Sequence, residues 1–190
     1  MIALYTDDCL IFSNDNTTID ELCESLSEDF LLKDEGNIED FLGIRITKSI
    51  DAEGRVTFNM TQPGLIDTIL EDVGLSPNVG EGKSPPAVKF TPAHGHVHPF
   101  PDAMPYSAPW NYRSIIGKLN FLAQNTRPDI SYAVHACARF VNNPNQKHQE
   151  AVKYLCRYLL LTRGRGLILN PVPDNRLNAY CDSDFCGLWS

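Results

Sequence analysis

No run of apolar residues in this 190-residue chain approaches the roughly 18–20 needed to cross a bilayer. The N-terminus lacks a basic stretch followed by a long apolar segment, so no signal peptide is read and an intracellular setting, cytoplasm or nucleus, is expected. There is no CxxC pair among the six cysteines (Cys9, Cys23, Cys137, Cys156, Cys181, Cys186). Most of them fall within apolar patterns and read as small buried hydrophobes in a reducing compartment. Cys181 and Cys186 match no common zinc spacing. No internal repeat is present. The chain is not poor in apolar residues: they make up 43%, enough for a real core and too many for a disordered segment.

The net charge of −8 would argue against nucleic acid if it were spread evenly. It is not. Residues 1–100 hold 6 Lys/Arg against 18 Asp/Glu, whereas residues 111–166 hold 9 against 2, Asp129 and Glu150. The basic segment also carries aromatics. It reads either as a surface for a phosphate backbone or as a solvated helical face.

The periodicity divides the chain. Ile2–Tyr5 and Cys9–Ser13 are short apolar runs around Thr-Asp-Asp, a β-hairpin with acids at its tip. Beyond a turn at Asn14–Thr18, the residues Ile19, Leu22, Leu26 and Phe30 are spaced as on a helix. Phe41–Thr47 reads as one strand paired with Val56–Met60 across an Asp51–Gly54 turn. Gln62–Val73 reads as a helix with Pro63 in its first turn and Gly74 at its end. Residues 76–109 are rich in Pro and Gly and read as a linker or long loop. A helix bearing Ile115, Ile116, Leu119 and Leu122 follows. A second runs from Pro128 to about Val141, and a third spans Gln146–Thr162 with Val152, Leu155, Tyr158 and Leu159 inward. Leu167–Leu169 and Asn178–Cys181 read as extended.

The most specific motif is Tyr5-Thr6-Asp7-Asp8 between apolar strands. Two neighbouring carboxylates converge at a hairpin tip more readily than on a flat strand, and there they can hold divalent cations. This motif resembles the catalytic motif of reverse transcriptases. The order downstream resembles the copia-type retrotransposon family: Phe30-Leu-Leu-Lys-Asp-Glu-Gly36, Phe41-Leu-Gly-Ile44, and Thr126-Arg-Pro-Asp-Ile-Ser-Tyr-Ala-Val134, which is similar to the family's TRPDI-x-YAV signature. Arg139-Phe, Asn143-Pro, His148, Glu150–Lys153 and Arg157–Leu159 continue the series, and Ala179–Gly187 is similar to the first strand of the family's ribonuclease H domain.

The resemblance implies an α+β fold. A partial palm of hairpins with a thumb-like helix would occupy 1–75, a Pro-rich linker 76–109, a mainly helical connecting region 110–170, and the start of a ribonuclease H-like domain 171–190. It implies RNA-directed DNA synthesis with Mg²⁺ or Mn²⁺, on an RNA/DNA primer–template, within a Pol polyprotein. Asp7 and Asp8 would be polymerase metal ligands, Asp182 the first ribonuclease H ligand with Asp184 a less secure neighbour, and Phe41, Leu42, Gly43 and Ile44 the start of the primer grip. Thr6 is a mild departure from the small or β-branched apolar residue usual there. The family's further aspartate, upstream of the motif, and the later ribonuclease H acids are not among these 190 residues. Little activity is therefore expected from them alone, and one side of the first hairpin is expected to be exposed. The alternative is a non-catalytic nucleic-acid-binding remnant or retroelement relic, with Lys147, Lys153 and Arg157 as contacts.

Other features stay open between two readings. Lys33 is either a charge near the leaving group or a solvated lysine. His94, His96 and His98 are either a metal site or an exposed loop. Trp110 and Tyr112 beside Arg113 either stack on bases or dock a helix. Arg127 either caps the preceding helix or contacts phosphate, and Asp129 would serve a helix dipole.

Overall fold

In the computed structural model the described residues are 1–33, 35, 36, 38–75 and 101–170. They form a mixed α and β structure with two antiparallel sheets, in line with the expected α+β class.

The first sheet is the hairpin of β1 (Ile2–Tyr5) and β2 (Asp8–Ile11). Its ladder is extended at the open end, where Phe12 N–H donates to the Met1 carbonyl at 2.8 Å. Helix α1 (Asn16–Ser27) follows, starting inside the segment expected to be a turn. The reason is local: the Asp15 carboxylate accepts from the Thr17 N–H at 3.1 Å and from the Thr18 hydroxyl at 3.2 Å, and an N-cap fixes where a helix begins.

The second sheet has the order β3 (Asp40–Phe41), β4 (Ile44–Ile50), β5 (Val56–Thr61), β6 (Leu167–Leu169). The expected continuous strand Phe41–Thr47 is therefore broken. Leu42 and Gly43 turn the chain with φ +52° and +74°, so Phe41 pairs with Ile44. Positive φ at both central positions is the geometry that joins twisted strands through two residues. The expected β4–β5 pairing is present, with Ile50 opposite Val56, and Asp51 closes the turn by accepting from the Glu53 and Arg55 N–H groups.

Helix α2 (Pro63–Asp72) starts at Pro63, where a missing N–H costs nothing, and ends at Gly74 with φ +71°. Helix α3 (Tyr112–Asn125) buries Ile115, Ile116, Leu119 and Leu122, the face expected. Pro128–Ile130 is a 3₁₀ turn, and α4 (Ser131–Ala138) stops three residues before Val141. Turn residues carry the chain through 139–143, with Phe140 N–H on the Cys137 carbonyl and Val141 N–H on that of Ala138. Helix α5 (Gln146–Leu161) opens with a capping box: Asn145 Oδ1 accepts from the Lys147 and His148 amides, while His148 Nδ1 accepts from the Asn145 N–H.

The apolar core takes residues from both sides of residues 76–100. Ile66, Ile69, Leu70 and Val73 of the α2 region pack in one cluster with α3, α4 and α5. Strand β6 pairs with β5, so the chain beyond α5 returns to the sheet it left before α2. Gly166 is the residue that permits this return. A Cβ there would stand 2.1 Å from the Met60 carbonyl oxygen, closer than any side chain can approach.

Candidate functional site: the Asp7–Asp8 hairpin and its surroundings

In the β1–β2 hairpin Tyr5 pairs with Asp8, leaving Thr6 and Asp7 as the two turn residues. Tyr5 and Asp8 are cross-strand partners and so share a face, with Ala3 and Leu10 behind them. Asp7 stands on the turn itself. Both carboxylates are exposed and neither is held in an ion pair among the described residues. Thr6 has φ +53°. A β-branched residue in this left-handed region costs about 1–2 kcal/mol, so the motif's tip is strained as well as acidic.

A hard divalent cation suits this donor set. Magnesium is commonly held by one or two carboxylates, with water and substrate phosphates completing its shell. Among the described residues there is no group of three potential ligands, so the pair Asp7 and Asp8 is what this part of the chain can offer. Asp182 and Asp184 lie outside the described residues, as do His94, His96, His98, Cys181 and Cys186.

The surroundings of the hairpin are open. No residue of 1–33 is buried. Leu4 is 73% exposed and Phe30, Leu31 and Leu32 all face solvent. The apolar stripe of α1, Ile19, Leu22 and Leu26, is only half-buried. Lys33 is exposed and paired with Glu35, the solvated reading rather than a group poised at the hairpin.

The second expected site segment is the Leu42–Gly43 turn. Phe41 and Leu42 are half-buried, Gly43 is exposed, and Ile44 is buried. The turn therefore projects from a sheet anchored at one side by Ile44.

The TRPDI-like segment buries its arginine, which serves the ends of two helices. Arg127 is 1% exposed. Its Nε and Nη2 donate to the two Asp129 carboxylate oxygens, both at 2.8 Å. Nη1 donates to the Thr162 carbonyl at 3.0 Å and Nη2 to Thr162 Oγ1 at 2.8 Å. Arg127 thus caps two helices, its side chain the end of α5 and its backbone N–H the end of α3 through the Leu122 carbonyl at 3.0 Å, and it has no face left for phosphate. Tyr158 OH completes the network by donating to Asp129 Oδ2 at 2.7 Å. Partial burial raises the Asp129 pKa, but the hydrogen bonds from Arg127 and Tyr158 outweigh it and hold the carboxyl below its ordinary value. Burial and then the Asp129 hydrogen bond push the Tyr158 phenol up. Next to this network, Thr126 Oγ1 donates to Gln62 Oε1 at 2.9 Å, tying the end of α3 to the start of α2.

Trp110 and Tyr112 are buried, stacked at 6.1 Å, and both meet Tyr106 edge-on, which is the docking reading. Tyr112 OH donates to the Cys137 carbonyl at 3.0 Å. Burial pushes the Tyr112 phenol up, and that of Tyr106 up to about 12.

Of the nine cations in 111–166, several are committed to the fold. Lys118 pairs with Asp72, Arg163 with Asp67, Arg127 with Asp129, and Lys147 with Glu150, while Arg113 donates to Asn142. Two of the acids concerned, Asp67 and Asp72, belong to α2, so counting charge by segment overstated what is available. Lys153 and Arg157 have no such partner among the described residues. They lie four apart on α5, on the side away from Val152, Leu155 and Leu159. No helix among the described residues is long and apolar enough to cross a membrane.

The family model for reverse transcriptase (RNA-dependent DNA polymerase) matches residues 1–87. The Retrovirus-related Pol polyprotein from transposon RE1 of Arabidopsis thaliana is 31% identical over 191 residues, taking in 98% of this chain and 12% of that protein. The corresponding polyprotein from transposon TNT 1-94 of Nicotiana tabacum is 32% identical, over 98% of this chain and 14% of its own length. An uncharacterized mitochondrial protein of Arabidopsis thaliana is 30% identical over the whole of this chain and 73% of its own. The chain thus spans a small part of the transposon polyproteins and most of the mitochondrial protein. No solved structure matches it to a significant degree.

Proposed function

The chain belongs to the reverse transcriptase family of copia-type retrotransposons, and on that premise we propose that it serves RNA-directed DNA synthesis as the segment bearing the metal-binding aspartates and the primer-holding hairpin. The observation that supports this reading is the two-residue turn of the first hairpin, with Asp7 on the turn and Asp8 at the first position of β2, neither in an ion pair among the described residues. Asp7 and Asp8 would hold Mg²⁺ or Mn²⁺. Bound there, the ion lowers the cost of deprotonating a primer 3′-hydroxyl and offsets charge on the departing pyrophosphate.

The chain's own residues supply position. Strands β1 and β2 fix the carboxylates at the tip. The turn Phe41, Leu42, Gly43 and Ile44 would hold the primer end. In this assignment β1–β5 are palm elements, α2 is the thumb-like helix, and α3–α5 form the connecting region. Residues 171–190 begin a ribonuclease H-like domain in which Asp182 is the first metal ligand. The natural cover for the apolar surface of residues 1–33 is the remainder of a Pol polyprotein. Lys153 and Arg157 offer a secondary contact to primer–template, with Lys147 contributing less because Glu150 already holds it.

The test is a chimera in which residues 1–170 replace the aligned segment of a transposon polyprotein competent in primer extension. Magnesium-dependent extension is expected, and loss of at least about 100-fold on Asp7→Asn or Asp8→Asn, since misplacing one ligand costs steeply. A folded chimera whose extension survives both changes would overturn the assignment. The 190 residues alone are expected to extend a primer poorly, because no third ligand stands by the pair among the described residues. Robust extension by them would contradict that. If the non-catalytic reading holds instead, salt-sensitive primer–template binding, weakened by Lys153→Ala and Arg157→Ala, will persist without any extension.

A further inference from the structure

Helix α5 starts on a histidine used as an acceptor. His148 is fully buried and stacks on the Phe140 ring, with centroids 4.1 Å apart and planes 13° from parallel. Its Nδ1 lies 3.0 Å from the Asn145 backbone nitrogen. A backbone amide can only donate, so Nδ1 must carry a lone pair and the ring proton must sit on Nε2. Glu or Gln ordinarily fills this third position of a capping box, and either keeps an acceptor oxygen whatever the pH. A histidine does not.

The same few residues hold three stretches together. Asn145 caps α5 and bridges to Pro105, and the Gln146 N–H donates to the Met104 carbonyl at 2.9 Å. Phe140 belongs to the turn between α4 and α5. The surroundings disfavour a second proton on the ring. No carboxylate is buried among the described residues. Of the charged groups on the elements meeting here, Lys147 and Glu150 on α5, Arg139 after α4, Arg113 on α3 and Asp102 are exposed, and Lys147 already holds Glu150. Tyr106, Tyr112 and Cys137 are kept neutral by burial. The Phe140 face attracts an imidazolium weakly. That gain is small beside taking a charge wholly out of water and losing the Asn145 bond.

We propose that His148 is a pH-sensitive latch: neutral, it closes the capping box of α5 and holds residues 104–105 and the 139–145 turn against it; protonated, it releases them. The folded chain holds the ring neutral, whereas the unfolded chain takes up a proton at the ordinary histidine value of roughly 6.5. The stability that the latch contributes is therefore complete above that value and is lost as pH falls below it. The latch is independent of the polymerase assignment, because its readout is the folding of the chain and not extension.

The test is chemical denaturation of the 190-residue chain at about pH 7.5 and about pH 5, with His148→Gln beside it. The parent's folding constant should drop about thirtyfold over that range, the effect of one proton taken up on unfolding. His148→Gln keeps an acceptor for the Asn145 amide and cannot titrate, so its constant should change less than about threefold. Should that variant fail to fold, the imidazole nitrogen resonances of the parent decide. His148 is expected to show the Nε2–H tautomer and to stay neutral at about pH 5.5, where exposed His135 is mostly protonated. Protection of the Asn145 and Gln146 amides from exchange should fall together with the folding constant. Equal acid sensitivity in parent and variant overturns the proposal, as does a His148 ring that titrates alongside His135 while those amides stay protected.

Discussion

Helices α1 and α2 carry the same kind of amphipathic stripe and meet different fates. In α2, Ile66, Ile69 and Leu70 are fully buried against α3 and α5. In α1, Ile19, Leu22 and Leu26 are half-buried and nothing on the helix is fully enclosed. The contrast extends to the whole of residues 1–33 against residues 38–75 and 101–170. Both regions have regular backbone, capped helices and well-paired strands. Only one has a core. Periodicity in a sequence records that a face needs covering, and it is silent about whether the cover lies in the same chain.

The sharpest way to test this contrast is to remove Arg127. Arg127→Ala leaves Asp129 without its cation and α5 without its cap, and the body should lose about 3–5 kcal/mol in chemical denaturation. A loss under 1 kcal/mol would mean that the network is decoration. The next effect is a matched pair. Leu155→Ala should cost about 2–5 kcal/mol, whereas Leu22→Ala, on the exposed helix, should stay within about 0.5 kcal/mol. Equal effects would show that α1 belongs to the cooperative unit after all.

A smaller effect is set by pH. Asp129 has a folded pKa below its unfolded value of roughly 3.9. Its contribution is therefore complete above that unfolded value and is lost as pH falls below it toward the folded pKa. Acid titration of the melting temperature should steepen in that window, and Asp129→Asn should flatten it. A variant as acid-sensitive as the parent would assign the slope to other carboxylates. The smallest effect is expected at Arg163, whose hydrogen bonds hold the Asp67 carboxyl below its ordinary value. That pair is partly exposed, so Arg163→Ala should cost under about 1 kcal/mol and less still in high salt.

Much of the fold was legible because its signals are local. Pro63 and Gly74 bracket α2, and Ile115, Ile116, Leu119 and Leu122 mark the buried face of α3. The Tyr5–Asp8 turn declared itself by its apolar flanks. What escaped notice was set by partners distant in sequence or by unusual backbone. Leu42 gave no sign of a positive φ, so two strands were read as one. Arg127 looked available because its acceptor at Thr162 lies 35 residues on. Tyr158 carried a usable clue, since a tyrosine on an otherwise apolar helical face needs a partner for its hydroxyl. The roles of Asp7 and Asp8 were read through family likeness, and their exposed hairpin leaves that reading to the chimera.

The joining of α2 to the helices beyond residue 100 has a practical corollary. Gln62 with Thr126, Asp72 with Lys118, Asp67 with Arg163, and β5 with β6 all bridge the two sides. With Ile66, Ile69 and Leu70 among them, these contacts make an interface of the kind found between permanent subunits. A protease cut between residues 76 and 100 should then leave two polypeptides that elute together under native conditions and part only in denaturant. The covalent link would be dispensable to the assembled body, and two separately produced halves should find one another in a concentration-dependent way.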